Sequence, residues 1–251
     1  MRPLGLAGPV GATPTMLAQM ADWVAVTDSP LPAAVFWDMD GTLVDSEPYW
    51  LSAETELVES YGGTWTEADG LQLVGSSLER SALILQSRGV PLSVEEIVSV
   101  LTDRVGAQIV VSVPWRPGAR ELLAALREAG VPTALVTMSI GRMARLVIDA
   151  IGFDAFDVVV SGDQVGDGKP APDCYLLAAQ QLGVDPRDSV AIEDSEYGVA
   201  AAVAAGMATV AVPLHVPLPA SPAYTLWPDL TDSTPAALGA VLAAHRRGER
   251  P

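Results

Sequence analysis

Ala33-Ala34-Val35-Phe36-Trp37-Asp38-Met39-Asp40-Gly41-Thr42 joins an apolar run to two carboxylates placed two residues apart. Five apolar residues bounded by turn formers read as a buried strand. Alternate residues of a strand share a face, so Asp38 and Asp40 are expected to project together from its carboxyl end. Gly41 then breaks the strand and Thr42 adds a hydroxyl. Open parallel sheets place ligand sites at that end. Alone, the stretch is also what an acidic turn looks like, and the rest of the chain decides between the two.

Two later stretches repeat the pattern of a strand ending in a reactive residue, and a third sets a lone lysine before a proline. Val131 to Val136 is apolar and stops at Thr137. Ser189-Val190-Ala191-Ile192 runs into Glu193-Asp194-Ser195, with Gly198 following. Between them stands Gly168-Lys169-Pro170-Ala171-Pro172-Asp173, and Lys169 is the only lysine of the chain, every other basic residue being arginine. Lysine is a compact point charge where arginine is a planar fork, so the retained ammonium suits a small anion, although a compositional survivor would look the same.

Further strands are expected at Asp157 to Ser161 and Ala208 to Val212, with helices between. Pro117-Gly118 opens a helix carrying Leu122, Leu123 and Leu126 and stopping at Gly130, with proline near the start and glycine past the end. A second follows Pro172, carries Leu176, Leu177 and Leu182, and ends at Gly183; a third runs from Ser195 to Gly206. This alternation predicts an α/β fold with a doubly wound parallel sheet. Residues 48–114 differ in texture: Trp50, Glu54, Leu57, Val58 and Tyr61 fall on helical spacing, as do Leu83, Ile84, Ile97, Val98 and Leu101. The expected organisation is a flexible extension at 1–30, a core of 31–47 with 115–251, and an inserted all-helical cap at 48–114. After Pro213 the chain turns proline-rich, and a short final helix ends in the basic tail Arg246 to Arg250, which reads as a solvated end.

The four stations, in this order, resemble the motifs of the haloacid dehalogenase (HAD) superfamily of phosphoryl-transfer enzymes. The resemblance runs from about Ala33 to Val212 and is nearest to the phosphatase and β-phosphoglucomutase-like branch with a small helical cap. It implies that Asp38 is a nucleophile forming an aspartyl-phosphate, and that Asp40 is the general acid and then the base. It implies that Thr137 and Lys169 bind the transferring phosphoryl oxygens. Mg²⁺ would be held by the Asp38 carboxylate, the Asp40 backbone carbonyl and Asp194, with Glu193 supporting the shell. Candidates for substrate contact are Thr42, Glu47, Trp50, Ser76 and Arg80, with Met138 and Ser139 from the second loop. Trp50 would equally serve as cap core and Arg80 as a surface cation.

Departures from the family sort its branches. Dehalogenase relatives lack the second acid, which Asp40 supplies here, and phosphonate-cleaving relatives use a cap lysine that this chain lacks. Sugar phosphomutases carry a histidine twelve residues after the nucleophile, where this chain has Trp50, and an arginine where Gly75-Ser76-Ser77-Leu78 has leucine. Hydrolysis of a small phosphorylated metabolite is therefore expected, with mutase chemistry as the rival. A catalytically silent binding module is the alternative of another class, and such a module would be expected to have lost a station.

Composition bounds the partners. At 251 residues and 49% hydrophobic content the chain carries a proper core. A net charge of −17 opposes nucleic-acid and anionic-membrane roles. It also repels a phosphorylated substrate, which a divalent cation would reverse locally. Cys174 is alone, so no intrachain disulfide is possible, and a packing role is expected. His215 and His245 show no metal or dyad spacing and read as bystanders. No apolar run reaches the ~18 residues of a membrane span, and the first thirty residues lack a continuous signal-like apolar region. A cytoplasmic monomer or weak dimer is the expectation.

Overall fold

The computed structural model describes residues 30–73 and 76–248. The expected extension at 1–30 lies almost wholly outside them, as do Gly75 and Arg250. Six strands form one all-parallel sheet: β1 Val35–Trp37, β2 Thr133–Val136, β3 Val158–Val160, β4 Val190–Glu193, β5 Ala208–Ala211 and β6 Thr225–Leu226. Their order is β3-β2-β1-β4-β5-β6. β1, which carries Asp38 at its end, thus lies between β2 and β4, where the order reverses. That is the switch point at which such sheets form their crevice.

Side chains alternate between two apolar layers. Val35, Trp37, Leu135, Val190, Ile192 and Val210 face one layer. It is built with α5 (Ala119–Glu128), α6 (Gly141–Ile151) and α9 (Pro235–Arg247), through Leu122, Leu123, Leu126, Met143, Val147, Leu238 and Leu242. Phe36, Ala134, Val136, Val160 and Ala191 face the other, with α7 (Asp173–Leu182) and α8 (Glu196–Ala204). Strands buried on both faces read as unbroken apolar runs, which is why the sequence announces them. α7 differs from the leucine-based reading. It buries Cys174, Tyr175, Ala178 and Ala179, while Leu176 is exposed. Small residues bring the helix close to the sheet, Leu177 and Leu182 pack at the edge of the layer, and Tyr175 reaches furthest inward, its ring edge-on to Phe36 at 6.4 Å.

Among the described residues, the elements between β1 and α5 are all helices: α1 Glu47–Ser60, α2 Glu67–Gly70, α3 Leu78–Ser87 and α4 Val94–Val111. Capping boxes at Thr66/Asp69 and Ser93/Glu96 start α2 and α4. α1 buries Trp50, Ala53, Glu54, Leu57 and Val58. α3 buries Ser81, Ala82 and Leu85 and leaves Leu83 exposed. The chain enters and leaves this segment along two adjacent linkers. Val44 bridges Trp115 in antiparallel fashion, the Asp45 amide donates to Pro114 O at 2.8 Å, and the Arg116 amide donates to Leu43 O at 3.0 Å. α4 also rests on α6, close enough at Gly106 that a Cβ would meet the Leu146 side chain at 2.5 Å. No described helix is long and apolar enough to cross a membrane.

Glu54 is an acid inside this helical layer, 5% exposed, its Oε2 accepting from Trp65 Nε1 at 3.1 Å. Burial pushes its carboxyl from an ordinary 4.5 up to about 7, against the pull of the indole hydrogen bond. Between those values the fold holds a proton that the unfolded chain releases. Stability from this group is therefore full below pH 4.5 and is lost as pH rises to 7. Glu54→Gln should accordingly stabilise the protein by about 1–3 kcal/mol at pH 8 and by little at pH 4. Thermal unfolding across that range checks it; a gain independent of pH would show that burial of the charge is not the cause.

Candidate active site

Register places the central groups. Trp37 pairs Leu135 on one side and Ile192 on the other, so one residue further along, Val136, Asp38 and Glu193 stand abreast at three neighbouring strand ends. Lys169 reaches across all three. Its Nζ donates to Asp38 Oδ1 at 2.6 Å, to Glu193 Oε1 at 2.6 Å and to Val136 O at 3.0 Å. An ammonium has three protons, and each is used. Nζ also lies 5.2 Å from the centre of the Tyr175 ring, whose hydroxyl donates to Glu193 Oε1 at 2.5 Å.

Asp38 and Asp40 do not share a strand face. β1 ends at Trp37, and Gly41 turns the chain at φ +87°. Asp40 therefore stands beyond the strand and faces a different group of partners. Ser46 Oγ donates to its Oδ1 at 2.5 Å, and Ser139 Oγ to its Oδ2 at 2.7 Å. Thr137, buried at the end of β2, accepts from the Ser139 amide at 3.0 Å. Asp194 accepts from Thr42 Oγ1 at 3.2 Å. It presses so closely on the turn that a Cβ at position 41 would lie 2.2 Å from its Oδ2. Glu193 is confined likewise: a Cβ at Gly198 would lie 1.9 Å from its Oε2, and Ser195, which caps α8, donates to that oxygen at 3.4 Å.

Asp38, Glu193 and Asp194 each offer a carboxylate oxygen within 4.8 Å of the others. Lys169 is the cation nearest them, and the charge stays uncompensated. Burial drives the Asp38 carboxyl well above its usual range despite Lys169, with Glu193 and Asp194 adding to the push. Burial and then Glu193 carry Asp194 up to about 7. The lysine is desolvated too, but Asp38 and Glu193 outweigh that and raise its pKa. Clustered oxygens with excess negative charge fit a hard divalent cation.

The candidates for substrate contact are spread around this centre. Glu47, at the start of α1, is half-buried and pushed up to about 8, first by burial and then by Asp40, Glu54, Asp45 and Asp194. Met138 is partly exposed beside Lys169, its sulfur 3.3 Å from the Lys169 amide. Trp50 packs in the apolar layer, 8% exposed. Arg80 is exposed in the first turn of α3, and Ser76 half-buried before it. Among the described residues, no hydrogen bond joins the side chain of either to the Asp38 network. Sequence reasoning passed over Ser46, Tyr175 and Arg116. Arg116 is a buried guanidinium donating to Val212 O at 3.1 Å with Asp194, Asp45 and Asp229 around it, its pKa lowered by burial against their pull. Ser46 had a signal, standing in the turn that follows Asp40; the other two had none.

The sheet order, the acid-lysine-acid bridge and the second acid in the following turn make one charged crevice on an α/β scaffold. The family model of haloacid dehalogenase-like hydrolases matches residues 32–206, and the chain belongs to that family. It is 34% identical over 192 residues to hexitol phosphatase B of Escherichia coli K12, covering 74% of this chain and 86% of that protein. It is 34% identical over 190 residues to a bifunctional riboflavin kinase/FMN phosphatase of Arabidopsis thaliana. That match takes in 73% of this chain and 49% of the relative, so the chain spans about half of its length. The crystal structure of a CbbY mutant from Rhodobacter sphaeroides in complex with xylulose-1,5-bisphosphate superimposes with a TM-score of 0.75 at 28% identity, over 83% of this chain and 99% of that one. Within the family the protein is a phosphatase, an enzyme that hydrolyses phosphoric monoesters.

Gly198→Ala tests the geometry around Lys169. The added methyl must displace the Glu193 carboxylate and with it one acceptor of the ammonium, so turnover should fall by at least about tenfold. Gly166→Ala, with nothing within 4 Å of the new methyl, is the control. Equal activity of the two variants in a phosphate-release assay would mean that the Glu193 position is not critical.

Proposed function

We propose that the protein hydrolyses the monophosphate ester of a small polyhydroxylated metabolite, through an aspartyl-phosphate on Asp38. The observation that carries this reading is the Lys169 ammonium held 2.6 Å from Asp38 at the sheet's switch point. A phosphate monoester resists attack because its charge repels nucleophiles, so positioning and charge neutralisation are the main needs. Mg²⁺ bound by Asp38 and Asp194, with Glu193 behind them, would supply that neutralisation.

In the first step an Asp38 oxygen bonds to phosphorus, the ester oxygen leaves, and Asp40 gives that oxygen a proton. In the second, Asp40 as carboxylate takes a proton from water, whose oxygen bonds to phosphorus and frees Asp38 and inorganic phosphate. Ser46 and Ser139 hold the two Asp40 oxygens, which fits a residue that must both give and take a proton at one place. Thr137 and Lys169 bind the phosphoryl oxygens in this scheme. We assign residues 48–114 to a cap closing over the crevice, hinged on the paired linkers, with Thr42, Glu47, Ser76, Arg80, Met138 and Ser139 near the leaving group. The polyol character of that group is supported by the hexitol phosphatase and by the sugar bisphosphate that CbbY binds. Trp50, packed in the apolar layer, offers no proton-transfer group where mutases carry a histidine, which favours hydrolysis. Action in the cytoplasm as a monomer or weak dimer, without nucleic acid or membrane, completes the reading.

With hexitol and ketose monophosphates and Mg²⁺, phosphorus NMR should show inorganic phosphate growing at the expense of ester, with no isomeric ester. EDTA should stop the reaction, and Asp38→Asn should slow it by at least about a thousandfold. Formation of an isomer with little free phosphate would overturn the hydrolase reading. An Asp38→Asn variant retaining a tenth of wild-type turnover would remove Asp38 as nucleophile.

A further inference from the structure

Met138 stands where the chain is fixed on both sides and its own side chain is committed. Ser139 is tied to Thr137 through its amide and to Asp40 through its hydroxyl. From below, Gly162 presses on the Met138 backbone, for a Cβ there would lie 2.4 Å from the Met138 carbonyl oxygen, while the Gly162 amide donates to Ser139 O at 3.0 Å. The thioether crosses from this rigid loop to the segment carrying the lysine. Its sulfur takes the Lys169 N–H at 3.3 Å, and among the described residues that amide has no other acceptor. A Cβ on Gly168 would come within 2.9 Å of the same sulfur. Gly166 and Gly168 lead into the lysine without bringing a side chain against the thioether. A thioether is a weak acceptor, so its contribution here is one of place: it sets where the Lys169 backbone sits, and hence where the ammonium meets Asp38.

We propose that Met138 is the positioning residue for Lys169, its thioether seated between Gly168 and the Lys169 amide, and that a hydroperoxide converting this thioether to the sulfoxide disarms the site. The role of Lys169 in turnover rests on the function proposed above. In the oxidation step the sulfur lone pair takes the terminal oxygen of the hydroperoxide, the O–O bond breaks, sulfur is oxidised and the hydroperoxide is reduced to its alcohol, or to water from hydrogen peroxide. An oxygen added at the lone pair that faces the Lys169 amide does not fit a sulfur–nitrogen separation of 3.3 Å, and there the lysine segment has to move. Met138 is 37% exposed, whereas Met39, Met143 and Met207 are fully buried, which directs a peroxide to it among the described methionines.

The test compares the full chain with Met138→Leu, which keeps bulk without the lone pairs, and Met138→Ala, which removes both. One reading is kcat and KM on a sugar monophosphate. The other is the rate at which an amine-directed acylating reagent labels Lys169, mapped by mass spectrometry. Met138→Ala should lower kcat by about tenfold or more with KM changed less than about threefold, and should raise the labelling rate about tenfold. Met138→Leu should fall between. Hydrogen peroxide should add one oxygen to the Met138 peptide and give the wild type the alanine variant's faster labelling and lower kcat, while leaving the leucine variant as it was before treatment. Equal labelling rates in all three proteins, or peroxide inactivation of Met138→Leu as fast as of wild type, would overturn the proposal. Labelling needs no turnover: if none of the proteins releases phosphate but labelling still follows residue 138, the hydrolytic reading fails and the positioning role stands.

Discussion

A single buried ammonium holds the functional end of the sheet together. Val136, Asp38 and Glu193 end three adjacent strands, and Lys169 gives each of them one proton. Two carboxylates abreast in a desolvated crevice repel each other and would favour protonation. The lysine aligns them, although burial still holds the Asp38 carboxyl well above its usual range. Removing one partner from such a buried group typically costs 3–5 kcal/mol, because the other charges are left stranded. The surrounding residues follow from this requirement. Tyr175 comes inward from a helix whose other buried residues are small, to meet both Glu193 and the ammonium, and Gly198 and Gly41 are bare because carboxylates occupy the space a methyl would need.

Positive charge is scarce around this arrangement, and that scarcity shapes the chemistry. Three acids share one nearby lysine, and Asp194 is pushed up to about 7 by burial and by Glu193. An apolar environment magnifies every charge within it. Such a crevice is unfavourable to a phosphate until a further cation arrives, so in the proposed scheme metal and substrate are mutually dependent.

The sheet was legible because its strands are buried on both faces and write themselves as apolar runs. Five of the six were readable in this way; β6, two residues paired to the edge of β5, carries no pattern that its own sequence could show. Helix faces were harder. Of the leucines that mark these helices in the sequence, Leu176 and Leu83 are exposed, because close approach to the sheet favours cysteine and alanine and a short amphipathic helix has several faces. At the site, Asp38, Glu193 and Asp194 stood out as reactive residues at strand ends, and Lys169 as the lone lysine before a proline. Asp40 was found for a partly wrong reason, since a turn and two serines place it. Tyr175 and Arg116 were invisible, because a partner 18 residues away across a helix, or 96 residues away across the sheet, leaves no local trace.

The paired linkers have an evolutionary consequence. Where Val44 lies against Trp115, the chain leaves the core and returns to it within one backbone spacing, so the sheet closes whether the excursion is long or short. Lengthening such an excursion costs little entropy, which grows only with the logarithm of its length. Helical segments of other sizes can therefore be exchanged at this point while the catalytic strand ends stay in register. The constraint on such exchange lies far from the linkers, at Gly106 against Leu146, where any replacement must again present a bare backbone to α6 or be met by a smaller residue there.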